Sequence, residues 1–164
     1  MSKIAPCLWF NGQAEEAARF YVSVFGDGSV DGISHYPPGT SSPSPFREGD
    51  VLVVEFTLFG ETYQALNGGP HFSFNEAVSL SISCKDQAEI DRRFDALTAD
   101  GGESGPCGWL KDKYGLSWQL APEEIMAMQK SSDKEAVGRM MAALMTMGKL
   151  DIARLKAAFE GERA

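Results

Sequence analysis

Two stretches decide how this chain is read: Phe59-Gly60-Glu61-Thr62-Tyr63-Gln64 and Tyr114-Gly115-Leu116-Ser117-Trp118-Gln119. Both run aromatic, Gly, any residue, Thr or Ser, aromatic, Gln. Hairpins often carry Gly beside an aromatic, so the hexapeptides alone could coincide by chance. Their surroundings are also alike, because each closes a stretch that reads strand, helix, strand, strand. Self-similarity of this kind is sought before single elements are assigned. The chain is therefore read as an α+β fold of two tandem βαβββ repeats, whose curved sheets side by side would enclose a cleft, plus a C-terminal helical tail.

Working outward from the first hexapeptide, residues 51–59 read as a strand in which Glu55 and Thr57 share a face with Val51 and Val53. Gly60-Glu61 fits a two-residue turn with glycine first. Residues 62–66 return, and Asn67-Gly68-Gly69-Pro70 reads as a linker. Upstream, residues 37–50 are rich in Pro, Ser and Gly and read as a surface loop or an extended edge. Before them, Ala14, Ala17, Ala18, Tyr21, Val22 and Phe25 keep helical spacing, with Asn11 as candidate cap and Gly26 as left-handed stop. Residues 3–10 read as the opening strand.

The second copy begins near Ala77. Val78, Leu80, Ile82 and Cys84 alternate with Ser79, Ser81 and Ser83, giving one apolar and one hydroxyl face. Asp86 and Glu89 are spaced as a capping box, and Ile90, Phe94 and Leu97 continue a helix to Gly101-Gly102. Short strands follow around 103–111 and 116–121, turning at Asp112–Gly115. The domain reading is residues 1–121 as paired modules, about 3–67 and 77–121, and 122–164 as a helical extension. In that extension Ser132 and Glu135 suggest another capping box. Val137, Met140, Met141, Leu144 and Met145 form one apolar stripe, Ile152, Leu155 and Phe159 a second, and Gly148 separates two helices. Neither stripe can bury itself alone, so the tail is expected to pack on the body or on a second copy of the chain.

The chain has 164 residues, enough for one domain or two small modules, and a net charge of −8. That charge repels phosphate backbones and anionic lipid, so no nucleic-acid and no membrane partner is expected. No apolar run is long enough to span a bilayer. Three irregularly spaced cysteines, Cys7, Cys84 and Cys107, do not make a disulfide framework. With no signal-peptide core at the start, a cytoplasmic setting is expected.

Several motifs carry a family resemblance: Leu8-Trp9-Phe10-Asn11-Gly12 with Glu15-Glu16-Ala17 and Phe20-Tyr21, then Leu66–Pro70, Asp86-Gln87, Cys107–Gly115 and Ser117-Trp118-Gln119. By these the chain resembles the vicinal oxygen chelate superfamily of glyoxalases, extradiol dioxygenases and fosfomycin- and bleomycin-resistance proteins. Within it the chain looks like the PhnB-like branch, often labelled 3-demethylubiquinone-9 3-methyltransferase-like. The residues offer no Gly-rich strand-to-helix turn for an S-adenosyl cofactor. The resemblance implies one divalent metal held by His and Glu on the first and last strands of each repeat. The matching positions here fall near Pro6, Gln64, Ser79 and Gln119, with only neighbouring Cys7 adding a good ligand. Those donors are neutral, weak or absent, so no metal site and no cofactor are expected. His35 and His71, the two histidines, read as solvated loop residues.

What remains is an organic ligand cleft. Trp9, Phe56, Tyr63, Trp109 and Trp118 could supply aromatic walls, with Gln64, Ser79, Ser81 and Gln119 as hydrogen-bonding groups. The expected lining is Trp9, Gln64, Ser79, Ser81, Trp109, Trp118 and Gln119. Each aromatic has core packing as its competing explanation, and each Gln a structural hydrogen bond. Glu55, if buried in the cleft, is a candidate general base. Cys107 is a candidate nucleophile if Lys111 or Lys113 reaches it. Three function classes stay open: a metal-free binding protein for a small organic ligand, a metal-dependent lyase, dioxygenase or transferase with an altered site, and a dimeric interaction protein with a vestigial cleft. The first is preferred, and a homodimer is the expected assembly.

Overall fold

The structure, a computed structural model, describes residues 3–40 and 45–161. Residues 41–44 of the Pro/Ser-rich stretch lie outside the described residues. The chain divides into two compact units, Met1–Phe74 and Asn75–Ala164. No described helix is long and apolar enough to cross a membrane.

In the first unit β1 (Cys7–Phe10) is followed by α1 (Ala14–Phe25), β2 (Gly28–His35), β3 (Val51–Leu58) and β4 (Glu61–Asn67). The sheet order is β1-β4-β3-β2, with β1 parallel to β4 and the other pairs antiparallel. Alternation gives the sheet two chemically different faces. Leu8, Phe10, Val54, Phe56, Leu58 and Ala65 are buried toward α1, which returns Ala14, Ala17, Ala18, Tyr21 and Phe25. The other face, open within the unit, carries Cys7, Trp9, Glu55, Thr57, Gln64 and Leu66.

Four local expectations change. The opening strand starts at Cys7 rather than at residue 3, although Pro6 already accepts a hydrogen bond from the Gln64 amide at 2.9 Å. The β3–β4 turn is Phe59-Gly60, not Gly60-Glu61, because Leu58 pairs with Glu61. Both turn residues have positive φ, 51° at Phe59 and 80° at Gly60, as a tight hairpin twisted with its strands requires. Packing of the Phe59 ring on Phe25, 5.7 Å between centroids, supports the less favourable of the two. Finally, Asn11 does not cap α1. Asn67, at the end of β4, accepts from the amides of Gly12 (2.9 Å) and Ala14 (3.0 Å) and donates to Val51 O (3.0 Å). His35, expected in a loop, closes β2.

The second unit repeats the plan. β5 (Ser79–Cys84), α2 (Gln87–Thr98), β6 (Glu103–Ser104), β7 (Trp109–Lys111) and β8 (Ser117–Pro122) form a sheet ordered β5-β8-β7-β6. β5 is parallel to β8 and β7 antiparallel to it, so the pairing matches the first unit strand for strand. Asp86 caps α2 by accepting from Glu89 N at 2.8 Å, and the Glu89 carboxylate reaches back to Lys85 N at 2.8 Å.

The tail belongs to this unit. It forms α3 (Glu123–Met128), α4 (Lys134–Leu144) and α5 (Ile152–Glu160). Asp133, not Ser132, caps α4 through Ala136 N at 3.0 Å. Met140, Leu144, Met147, Leu150 and Leu155 bury together with Ile125. The α4–α5 connection also grips the β6–β7 loop: Cys107 N donates to Met147 O (2.7 Å) and Gly108 N to Gly148 O (2.8 Å). Gln87 holds the same connection from α2, donating to Leu150 O and accepting from Ile152 N.

Candidate functional site

The strand registers place the chemistry. In the first unit Cys7 lies opposite Gln64 and Gln64 opposite Glu55, so thiol, amide and carboxylate form one row across β1, β4 and β3. In the second unit Ser81 lies opposite Gln119 and Gln119 opposite Trp109. The two hexapeptides therefore occupy the same register, and by it Cys7 matches Ser81 and Glu55 matches Trp109. Pro6 and Ser79, the positions first aligned with the metal ligands, each lie off the row of their glutamine. The Gln119 amide nonetheless reaches diagonally to donate to Ser79 Oγ at 2.8 Å.

These residues do not suit a divalent ion. Two neutral amides and two serine hydroxyls are weak donors. The Cys7 thiol is pushed up by partial desolvation, which disfavours the thiolate that would bind a metal. Among the described residues no group of three His, Cys, Asp or Glu side chains could hold an ion.

The expected aromatic walls divide by strand parity. Trp9 and Trp109 lie on the open faces and are half-buried. The Trp9 ring is fixed by a hydrogen bond from Nε1 to Gly69 O (2.8 Å) and by Phe72 edge-on at 4.9 Å. Trp118 is a correction to the expected lining. It is fully buried on the helix side and donates from Nε1 to Asp112 Oδ2 at 2.8 Å. Phe56 and Tyr63 share the helix side of their own sheet and stack at 5.3 Å. Glu55 is a second correction: its side chain is exposed, not buried as the general-base reading required.

A cavity of about 410 Å³ opens on the second sheet, lined by Trp109, Lys111, Ser117, Glu76, Glu103 and the β6–β7 loop through Cys107. It brings together two residues singled out in the sequence, Trp109 and Cys107, with four not expected as lining, Glu76, Glu103, Lys111 and Ser117. Lys111 pairs with Glu76 across the intervening strand β8. Their hydrogen bond holds the Glu76 carboxyl below the usual range and the Lys111 ammonium above it. Thus Lys111 serves Glu76 rather than Cys107, whose Sγ lies 3.5 Å from Sδ of Met145. Lys113 lies over the Tyr114 ring. The nucleophile reading of Cys107 therefore loses the cation it required. Ser117 is the least expected member. It is 1% exposed, and its Oγ has no hydrogen-bond partner among the described residues. Parity held its signal: Ser117 stands two residues before Gln119 and faces the same way.

The comparisons agree with this architecture. Residues 2–121 match the model of the family described as 3-demethylubiquinone-9 3-methyltransferase. The PhnB protein of Bacillus cereus is similar at 35% identity over 74% of this chain and 99% of that one, with a TM-score of 0.63. A Pseudomonas aeruginosa protein shares the fold at 23% identity, covering 75% and 98%, TM-score 0.60. The fosfomycin resistance protein FosX of Listeria monocytogenes shares it at 12% identity, covering 74% and 93%, TM-score 0.50. No curated protein matches the sequence.

Proposed function

Because the chain belongs to the 3-demethylubiquinone-9 3-methyltransferase family, in the PhnB-like branch of the vicinal oxygen chelate superfamily, we propose that it is a small-molecule-binding protein that works without the superfamily's divalent metal. Its ligand rests on the open face of the second sheet, against Trp109 and over Ser117. The observation that carries this reading is the Ser117 hydroxyl, buried and without a partner among the described residues in the wall of a cavity of about 410 Å³. An unmet buried hydroxyl costs about 1–3 kcal/mol, which a bound molecule with one polar group would recover. The volume falls in the range of ordinary ligand sites, and an indole wall with few polar groups is their usual chemistry. Methyl transfer is not carried over from the family's description. The two sheets have one helix-covered face each and mixed pairing, without the parallel strand-helix alternation of a nucleotide-cofactor fold.

Native mass spectrometry tests the reading in one experiment. The protein is exposed to Mn²⁺, Co²⁺, Ni²⁺ and Zn²⁺, desalted, and then titrated with small aromatic amines, alcohols and carboxylates. One-to-one organic adducts that disappear in Trp109→Leu are expected, with metal far below one ion per chain. One tightly held ion per chain, or adducts indifferent to Trp109, would overturn the reading. The same spectra report whether the chain forms the homodimer expected from its sequence.

A further inference from the structure

Resting on that reading of the site, we infer that the ligand is an organic cation, an amine or quaternary ammonium carried on an aromatic or aliphatic body. The cavity's ionisable lining is two carboxylates, Glu76 and Glu103, and one ammonium, Lys111. That ammonium is already taken. It pairs with Glu76, and Glu103 lies directly opposite it in the β6–β7 register. An arriving anion would meet no unpaired cation and would face two carboxylates, on a chain whose net charge is −8. An arriving cation meets a carboxylate with capacity to spare. The Glu103 side chain is exposed and makes no hydrogen bond among the described residues, so it costs little to engage.

The other two groups fit the same class. Trp109 is half-buried and faces the cavity, and an indole is the strongest aromatic partner for a cation. The buried Ser117 Oγ has no partner among the described residues, and it can accept a hydrogen bond from an ammonium N–H. Carboxylate, indole and hydroxyl thus line one 410 Å³ space, supplied by β6, β7 and β8. The acidic pair alone would be no more than a solvated rim. The orphaned hydroxyl beside it is an independent mark of a binding place.

A shape-matched series separates charge from fit. Binding of 1-naphthylmethylamine, 1-naphthalenemethanol and 1-naphthoate is measured by equilibrium dialysis at neutral pH, with the wild-type protein, Glu103→Gln and Trp109→Leu. The ammonium is expected to bind about tenfold more tightly than the carboxylate. Glu103→Gln should remove most of that preference. Equal binding across the series, a preference for the carboxylate, or a preference that Glu103→Gln leaves intact overturns the cation inference. If binding in those cases is still lost in Trp109→Leu, the cavity remains the ligand site. No binding by any of the three, or binding indifferent to Trp109, overturns the site and the inference together.

Discussion

Asp112 shows how much one buried side chain can organise. It is 2% exposed, and its Oδ1 accepts from the amides of Tyr114 and Leu116 while Oδ2 accepts from Trp118 Nε1. Those bonds set the turn into β8 and so fix which way Ser117 and Gln119 face. Asp112→Asn keeps the volume but turns one acceptor into a donor that must confront an N–H. We expect a loss of about 1–3 kcal/mol in urea unfolding, with a shift in Trp fluorescence. A stability within a few tenths of wild type would show that Asp112 is dispensable to the turn. The turn itself was legible in Asp112–Gly115, but the inward course of Trp118 was missed. The information was there: neighbours on a strand point to opposite faces, so Trp118 and Gln119 could not line one surface. The same rule separates Phe56 from Glu55 and Tyr63 from Gln64.

At the scale of elements, α1 is held by its neighbour strand rather than by its own sequence. Its local N-cap residue, Gln13, makes no side-chain cap. Asn67 Oδ1 accepts from both amides, and its Nδ2 ties β3 through Val51 O. Asn67→Ala leaves two amides and a carbonyl to find other partners, so a cost of about 2–4 kcal/mol is expected. Hydrogen exchange should quicken first at Gly12 and Ala14. Unchanged exchange there would return the capping role to solvent or to Asn11. The helix was legible because its apolar period lies within twelve residues. Its cap was not, because the acceptor stands more than fifty residues away and no local pattern encodes it. The β3–β4 turn falls one residue earlier than its glycine suggests, for a related reason. A phenylalanine at positive φ is locally unfavourable, and the Phe25 contact and the hydrogen bond from Phe59 N to Asp27 O (2.9 Å) help to hold it.

For the whole molecule, the duplication was the most legible feature, since two hexapeptides in equivalent registers mark equivalent strands. The destination of the tail was left open between the body and a second copy, and the structure places it on the second unit. There its helices do more than cover an apolar surface, because the α4–α5 connection holds the backbone of the loop that walls the cavity. Leu155→Ala removes a fully buried side chain from the cluster that seats this connection. A loss of about 2–5 kcal/mol is expected, accompanied by faster amide exchange at Cys107 and Gly108. Destabilisation without any change at those two amides would mean that the loop stands without the tail.

The sheet order also sets a timetable for the growing chain. In each unit the first strand pairs in parallel with the last, Cys7 with Gln64 and Ser81 with Gln119. A ribosome must therefore deliver the end of a unit before its beginning can dock, and such distant pairings are slow to form. The first sheet can close once residue 67 has emerged. The second can close at 122, but its cavity wall waits for the helices that follow, so that wall is completed after both sheets.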